Sequence, residues 1–179
     1  VHVLAGNAPI VPPVTIVRPV RGIEAFSRET AVSGLELDYP RYSTIFCVAD
    51  AHDPIIPLIE ELVGIYGAEK VRLIVGDVPV SANPKLNNCV RGWEAAPTDW
   101  VILADSNVLM PKDYIQRMLA AWQPTTGLVC STPAGSRPLC IGAEVECAFL
   151  NAFQARWQYV GEALGLGFAQ GKSMLWNKP

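Results

Sequence analysis

Charge is scarce in this chain, and so is histidine. Of 179 residues, 17 % are charged and 2 are histidine, and the net charge is −3. That balance excludes the basic footprint of a nucleic-acid binder, so no nucleic-acid partner is expected. Aromatics reach only 8 % and are scattered, so they build no stacking platform. No run reaches the roughly 18 apolar residues that read as a membrane span, and no signal peptide is visible. The 5 cysteines, Cys47, Cys89, Cys130, Cys140 and Cys147, include no CxxC pair, which argues against a zinc site or a redox dithiol. Their odd number, spread through apolar segments, reads as reduced, buried thiols in a cytosolic setting. There is no GxSxG, and His2 lies in the opening segment, so Ser/His/Asp hydrolysis gains no support. Gly165 to Gly171 has one residue too many for GxGxxG and follows a helix instead of a strand. Gly171-Lys172-Ser173 resembles the tail of a phosphate loop, but its first glycine would fall on Leu166. A phosphate-loop or dinucleotide enzyme is therefore disfavoured.

What is present is apolar. Half the residues are hydrophobic, and the length suffices for one domain with a real core. Residues 1–13 are apolar and proline-rich and read as an extended arm or linker; 14–179 read as one domain. Short continuous apolar runs predict strands at 14–17, 43–49, 71–75, 100–104 and 127–131, as expected of parallel strands buried on both faces. Helical spacing predicts helices over 23–35, from Asp53-Pro54 through Tyr66, 84–95, 111–122 and 142–163. Asp53-Pro54 and Asn83-Pro84 both place a side-chain acceptor before a proline, a helix-start signal. In the last helix Phe149, Phe153, Trp157 and Val160 make one apolar face. Alternating strands and helices give an α/β fold: a mostly parallel sheet with helices on both faces. The chain starts on Val1 without Met and stops at Pro179 within a continuing pattern, so it reads as a piece truncated at its C-terminal side. Such a cut is expected to leave apolar surface that promotes self-association.

Two of these strands run into an aspartate, Asp50 and Asp105. Ligands of open parallel sheets bind beyond the carboxyl ends of the strands. Either aspartate alone could cap a turn. Asp53 is the better helix cap, however, and Asp105 comes too early for the helix at Pro111, so together they favour a metal or polar ligand. Lys85 falls at the second position of a helix, where the macrodipole prefers an anion; it is either a surface lysine or a partner for a bound anion. Asn87 and Asn88 either bond a ligand or satisfy loop groups. Arg18 and Arg21, flanking Pro19, either line the crevice or are exposed loop charges, and His52 reads as structural. Two acids, a lysine and helix N-termini suit a diphosphate held with a divalent cation.

Leu37-Asp38-Tyr39-Pro40, Phe46 to Pro54, Asn83-Pro84-Lys85-Leu86-Asn87-Asn88 and Ala104-Asp105-Ser106 occur in that order. This combination resembles the ceramide glucosyltransferases and their bacterial and hopanoid-linked relatives, from residue 13 to about 178. The resemblance implies a GT-A (Rossmann-like) nucleotide-sugar-binding fold. It also implies inverting transfer of a sugar, glucose first, from a UDP-sugar to a lipid hydroxyl such as ceramide. Asp50 then corresponds to the aspartate that contacts uracil or ribose, and Asp105 to the one serving the diphosphate through Mg²⁺ or Mn²⁺. Lys85, Asn88 and Ser106 fall with the donor site, and Pro19 and Arg21 meet the nucleoside. Asn107 replaces the second acid of the wider class's DxD pair. The resemblance places the catalytic base and a Q/R-x-x-R-W motif beyond Pro179; Gln154-Ala155-Arg156-Trp157 is one residue short of that motif. It also implies a parent enzyme on the cytoplasmic face of a membrane, anchored by segments outside this chain, with this piece soluble. The alternative is a non-catalytic nucleotide-sugar-binding or structural piece.

Overall fold

The computed structural model describes residues 11–179; the part of the expected arm before Val11 lies outside them. Val11 packs against the core, and the Tyr39 hydroxyl donates to the Pro12 carbonyl at 2.7 Å. The elements follow as β1 (Val14–Pro19), α1 (Ser27–Ser33), β2 (Tyr42–Val48), α2 (Ile56–Tyr66), β3 (Val71–Val75) and α3 (Pro84–Ala95). After them come β4 (Trp100–Ala104), α4 (Tyr114–Ala120), β5 (Val129–Cys130), α5 (Ile141–Phe149), α6 (Ala155–Ala163) and β6 (Ser173–Asn177).

The sheet has 6 strands in the order β3-β2-β1-β4-β6-β5. β1, β2, β3 and β4 are mutually parallel. β6 runs antiparallel between β4 and β5. This is the expected mostly parallel sheet with one correction: the sequence reading gave no strand at Ser173–Asn177. That segment is short and has no β-branched residue; pairing on both sides holds it extended.

β1 is buried along its whole length. Its alternate residues serve two cores, because side chains along a strand point to opposite faces. Val14 and Ile16 join Ile102, Tyr114, Ile115, Met118 and Leu175 under α4. On the same face, α1 and α2 cover Phe46 and Val48 with Ala31, Ile55, Ile59 and Leu62. Val17, Ile45, Cys47 and Val101 face the other way, against the Trp93 and Ala96 end of α3. Helices thus cover both faces, as expected. Each fully buried aliphatic side chain contributes about 1.5–3 kcal/mol, so the paired cores fix the strand order firmly.

Several boundaries differ from expectation. α1 and α4 are shorter than their apolar spacing suggested, with turns taking up the flanks. α2 starts at Ile56, not Pro54. Asp53 turns instead to the neighbouring loop, accepting the Gly22 N–H at 2.9 and 3.0 Å and the Ile55 N–H at 2.9 Å. The long helix expected over 142–163 is divided by a π-helical turn at Leu150–Gln154. Its apolar face forms: the Phe149 and Phe153 rings stack at 5.1 Å, and Trp157 follows edge-on at 6.1 Å. Yet Phe149, Phe153 and Trp157 stay 55 %, 52 % and 56 % exposed. The thiols are all free, but only Cys47 is buried and Cys140 is exposed. The uniform burial read from the sequence is thus corrected, because the segment bearing Cys140 and Cys147 lies outside the main core. Burial pushes the Cys47 thiol up to about 12. Among the described residues, no helix is long and apolar enough to cross a membrane.

α3 reaches the sheet through Gly92. A Cβ there would lie 2.2 Å from Val17 Cγ1 and 2.9 Å from Cys47 Sγ, so α3 would have to lift from β1 and β2. Gly92→Ala is expected to lower the unfolding free energy by about 1–3 kcal/mol, read from the midpoint of a urea titration. A midpoint at or above the wild-type value would contradict this packing.

Candidate functional site

The strand order decides where the two aspartates sit. β2 and β4 both flank β1 and run parallel to it, so Asp50 and Asp105 follow two strands that end on the same edge of the sheet. Pro19, the last residue of β1, is buried between them in sequence register with Cys47.

The loop after β4 is held from below by Arg18. This arginine occupies a strand position facing α1 and is 0 % exposed. Its Nη2 donates to the carbonyls of Asp105, Ser106 and Val108 at 3.0, 2.9 and 3.0 Å. Its Nη1 donates to the Thr30 carbonyl at 2.5 Å. Desolvation lowers the guanidinium to about 10, against favourable fields from Tyr114 and Asp105, so it stays charged at neutral pH. Gly34 leaves the room it needs: a Cβ there would lie 3.0 Å from Arg18 Nη1. Both roles considered for Arg18 are corrected here. It is neither an exposed loop charge nor an open crevice contact, because both its terminal nitrogens are spent on backbone carbonyls and its buried Nε has no hydrogen-bond partner.

Above this loop sits Asp105, with its side chain 14 % exposed. The Lys85 ammonium lies 2.5 Å from its Oδ1 and the Lys172 ammonium 3.5 Å from its Oδ2. Lys85 arrives because Asn83 caps α3, accepting the Lys85 and Leu86 N–H groups at 3.0 and 3.4 Å. That cap, followed by Pro84, forms as the sequence suggested. Lys172 arrives because β6 begins where β4 ends: the Asp105 N–H donates to the Lys172 carbonyl at 2.9 Å. Sequence reasoning discarded Lys172 with the failed phosphate-loop motif. Only the unexpected antiparallel strand brings it to Asp105.

The amides divide. Asn87 is structural, its Oδ1 accepting the Val80 and Ser81 N–H groups at 3.1 and 2.9 Å. Asn88 is 5 % exposed, and its Oδ1 has no hydrogen-bond partner. It lies one turn beyond Lys85, on the same helix face. Beside it, burial raises the Cys89 thiol, with Lys85 and Asp105 acting on it in opposite directions. Ser106 takes part through its carbonyl, already bonded to Arg18.

Asp50 is more exposed than Asp105, its side chain at 71 %. It has the structural task that the sequence reading denied it, accepting the His52 N–H at 2.8 Å. That bond, first of all, holds its carboxyl below the usual carboxylate range; the charge of the nearby Arg21 adds to it. Arg21 is exposed and His52 is 95 % exposed at its side chain. A cavity of about 420 Å³ between α1 and α2 and one of about 510 Å³ beside Trp93 and Trp176 include none of these residues. The candidate site is an open edge, with a charged cluster at Asp105 and an exposed acid, Asp50, bonded by the His52 backbone.

Among the described residues, no group of three or more His, Cys, Asp or Glu could hold a metal ion. Asp105 offers a single carboxylate, with exposed Asn107 two residues on. Such a set fits Mg²⁺ or Mn²⁺ only in the mode where one carboxylate and substrate phosphates share the ion.

Residues 4–179 match the family described as Glycosyl transferase family 21. A ceramide glucosyltransferase of Pyricularia oryzae is 33 % identical over 143 residues, 72 % of this chain and 28 % of that protein. Ceramide glucosyltransferase 1 of Caenorhabditis elegans is 25 % identical over 175 residues, 95 % of this chain and 37 % of that protein. The chain thus spans about a third of the curated relatives it matches. Among solved structures, a mannosyltransferase from Pyrobaculum calidifontis, in complex with GDP-Man and Mn²⁺, superposes with a TM-score of 0.54. It is 22 % identical, with 71 % of this chain and 36 % of that one covered. That likeness establishes the GT-A fold.

Removing Arg18 strands buried carbonyls. Arg18→Met is expected to lower the unfolding free energy by about 2–5 kcal/mol, and Arg18→Lys by less, because an ammonium restores part of the bonding. Urea titration of both variants checks the order; equal loss would mean that packing, not hydrogen bonding, is what Arg18 supplies.

Proposed function

Because the chain belongs to Glycosyl transferase family 21, we propose that it is the donor-binding part of an enzyme that transfers glucose from UDP-glucose to ceramide. The observation that carries this reading is Asp105. It is held by Lys85 at the carboxyl edge of a parallel sheet, in a chain 33 % identical over 143 residues to a ceramide glucosyltransferase.

In this reading the donor's diphosphate lies at Lys85 and Asp105. Lys85 gives up its bond to Asp105 Oδ1 and turns its ammonium to a phosphate oxygen. Asp50, with Arg21 beside it, holds the ribose and uracil, and buried Pro19 forms the floor between them. The unpartnered Oδ1 of Asn88 accepts a hydrogen bond from the donor, and Ser106 lines the loop that Arg18 fixes. Asp105, together with the donor's phosphates, would hold a divalent ion, Mg²⁺ or Mn²⁺, which would supply Lewis-acid neutralisation of leaving-group charge. The acceptor hydroxyl oxygen bonds to the anomeric carbon from the face opposite the departing UDP, which inverts the configuration. Its proton passes to a base that we assign to no described residue. Charge neutralisation by groups already in place is usually the largest catalytic contribution, which gives the lysine–aspartate cluster its importance.

The lipid side of the reading draws on α5 and α6. Exposed Phe149, Phe153, Trp157 and Val160 form an apolar ridge suited to the acceptor's hydrocarbon or to the surface of the membrane that contains it. Without lipid the same ridge is suited to a second copy of the chain. In place of a catalytic role, a purely donor-docking piece would keep the same nucleotide site.

Calorimetric titration with UDP in Mn²⁺ tests the donor site. Asp105→Asn is expected to weaken binding by about tenfold or more, and Asp50→Asn by less, since its carboxylate is open to water. Wild-type affinity in both variants would defeat the assignment. Loss of glucose transfer to ceramide in the longer protein carrying Asp105→Asn tests the activity itself. For the apolar ridge, light scattering in lipid-free buffer is expected to show species larger than one chain. The double variant Phe153→Glu/Trp157→Glu should restore the single chain; a clean wild-type monomer would count against the ridge as an adhesive surface.

A further inference from the structure

The charge around Asp105 does not balance. One carboxylate, 14 % exposed at its side chain, faces the ammonium groups of Lys85 and Lys172. Behind it the fully buried Arg18 guanidinium, whose hydrogen bonds all go to backbone carbonyls, adds a third positive field. The N-terminus of α3, a helix of 12 residues, points positive backbone groups toward the same edge. Asp105 can neutralise only one of these cations. The remainder is a fixed positive surplus at a partly desolvated edge, where electrostatic interactions are stronger than in water.

We infer that Lys172 is a second diphosphate-binding residue, acting with Lys85 and taking over part of the neutralisation that a divalent ion would otherwise supply. This rests on the donor-site reading above and deepens it by naming a further residue and the part of the donor it contacts. The two lysines come from different elements, one from the start of α3 and one from just before β6. They approach different oxygens of the carboxylate. The Lys172 side chain is 40 % exposed, so its ammonium can swing from Asp105 Oδ2 to a phosphate oxygen without disturbing the core. Its backbone stays fixed, because the Lys172 carbonyl accepts the Asp105 N–H at 2.9 Å. Asp105 then acts as a placeholder for the anion, keeping both ammonium groups together until the diphosphate binds. Two ammonium groups converging on one point distinguish a diphosphate from a neutral nucleoside.

The test is calorimetric titration of the wild-type chain, Lys172→Ala and Lys172→Arg with UDP and with uridine, each in EDTA and in Mn²⁺. Thermal melting confirms that the variants are folded. Wild type is expected to bind UDP in EDTA. Lys172→Ala should lose roughly tenfold in UDP affinity there, the scale of one charge-assisted contact. The loss should be smaller in Mn²⁺, uridine affinity should be unchanged, and Lys172→Arg should recover most of the UDP affinity. UDP affinity within twofold of wild type in Lys172→Ala overturns the inference and leaves the donor-site reading standing. A parallel loss for uridine and UDP also overturns it, because Lys172 would then only support the fold of the loop. A folded wild-type chain that binds neither ligand overturns the donor-site reading, and this inference with it.

Discussion

The site depends on a guanidinium buried at the end of the first strand. Arg18 gathers the carbonyls of Asp105, Ser106 and Val108 at 2.9–3.0 Å and ties them to Thr30 of α1. An unpaired ion in such a place would be very costly. Backbone carbonyls, each a strong dipole, replace the water that Arg18 loses. The consequence is directional: the backbone after β4 is held from one side, and the Asp105 side chain is left to the other. A loop that would otherwise sample many shapes is thereby fixed to the sheet beneath it. Loop residues placed by a rigid scaffold are a common way to build a binding site.

The scaffold itself comes from packing on two faces. Alternation along β1 feeds Ile16 to the α4 side and Val17 to the α3 side. Each helix therefore returns the chain to a defined position before the next strand begins. Because β2 and β4 lie on either side of β1, the chain delivers an acid from each to one edge. The antiparallel β6 adds what parallel strands alone would not, a backbone that enters the sheet from the same edge and carries Lys172 beside Asp105. Lys85 from the start of α3 and Lys172 from just before β6 thus meet at one carboxylate, whose backbone Arg18 of β1 holds.

Beyond the sheet the character changes. α5 and α6 have almost no buried side chains, and the rings of their aromatic ridge pack against one another. The carboxyl edge of the sheet and the ridge thus differ in character. The first concentrates charge around Asp105, and the second exposes apolar area. The division also explains the thiols: Cys47 lies inside the sheet and is inert by burial, whereas Cys140 stands exposed at the start of the ridge.

Much of this was legible in the residues alone. β4 is a continuous apolar run and β2 becomes one from Ile45 onward, a signal that suits buried parallel strands. Asn83-Pro84 marks the start of α3 because the cap and the proline act locally, whatever the rest of the chain does. The order of Asp50, Lys85 and Asp105 along the chain was enough to suggest an anion site. What the sequence could not decide was every feature whose cause is distant in the chain. Arg18 read as either a crevice residue or a loop charge, because three of its four carbonyl partners lie 87 to 90 residues away. Ser173–Asn177 carries little β propensity of its own and is a strand because β4 and β5 offer it hydrogen bonds. Asp50 seemed idle until the His52 N–H was seen to bond it. Lys172, set aside as part of a failed motif, gained its place only through that pairing. Local patterns fix elements because a helix cap or an apolar run is complete within a few residues. The meeting of charges is a property of the folded sheet, decided only when the strands pair.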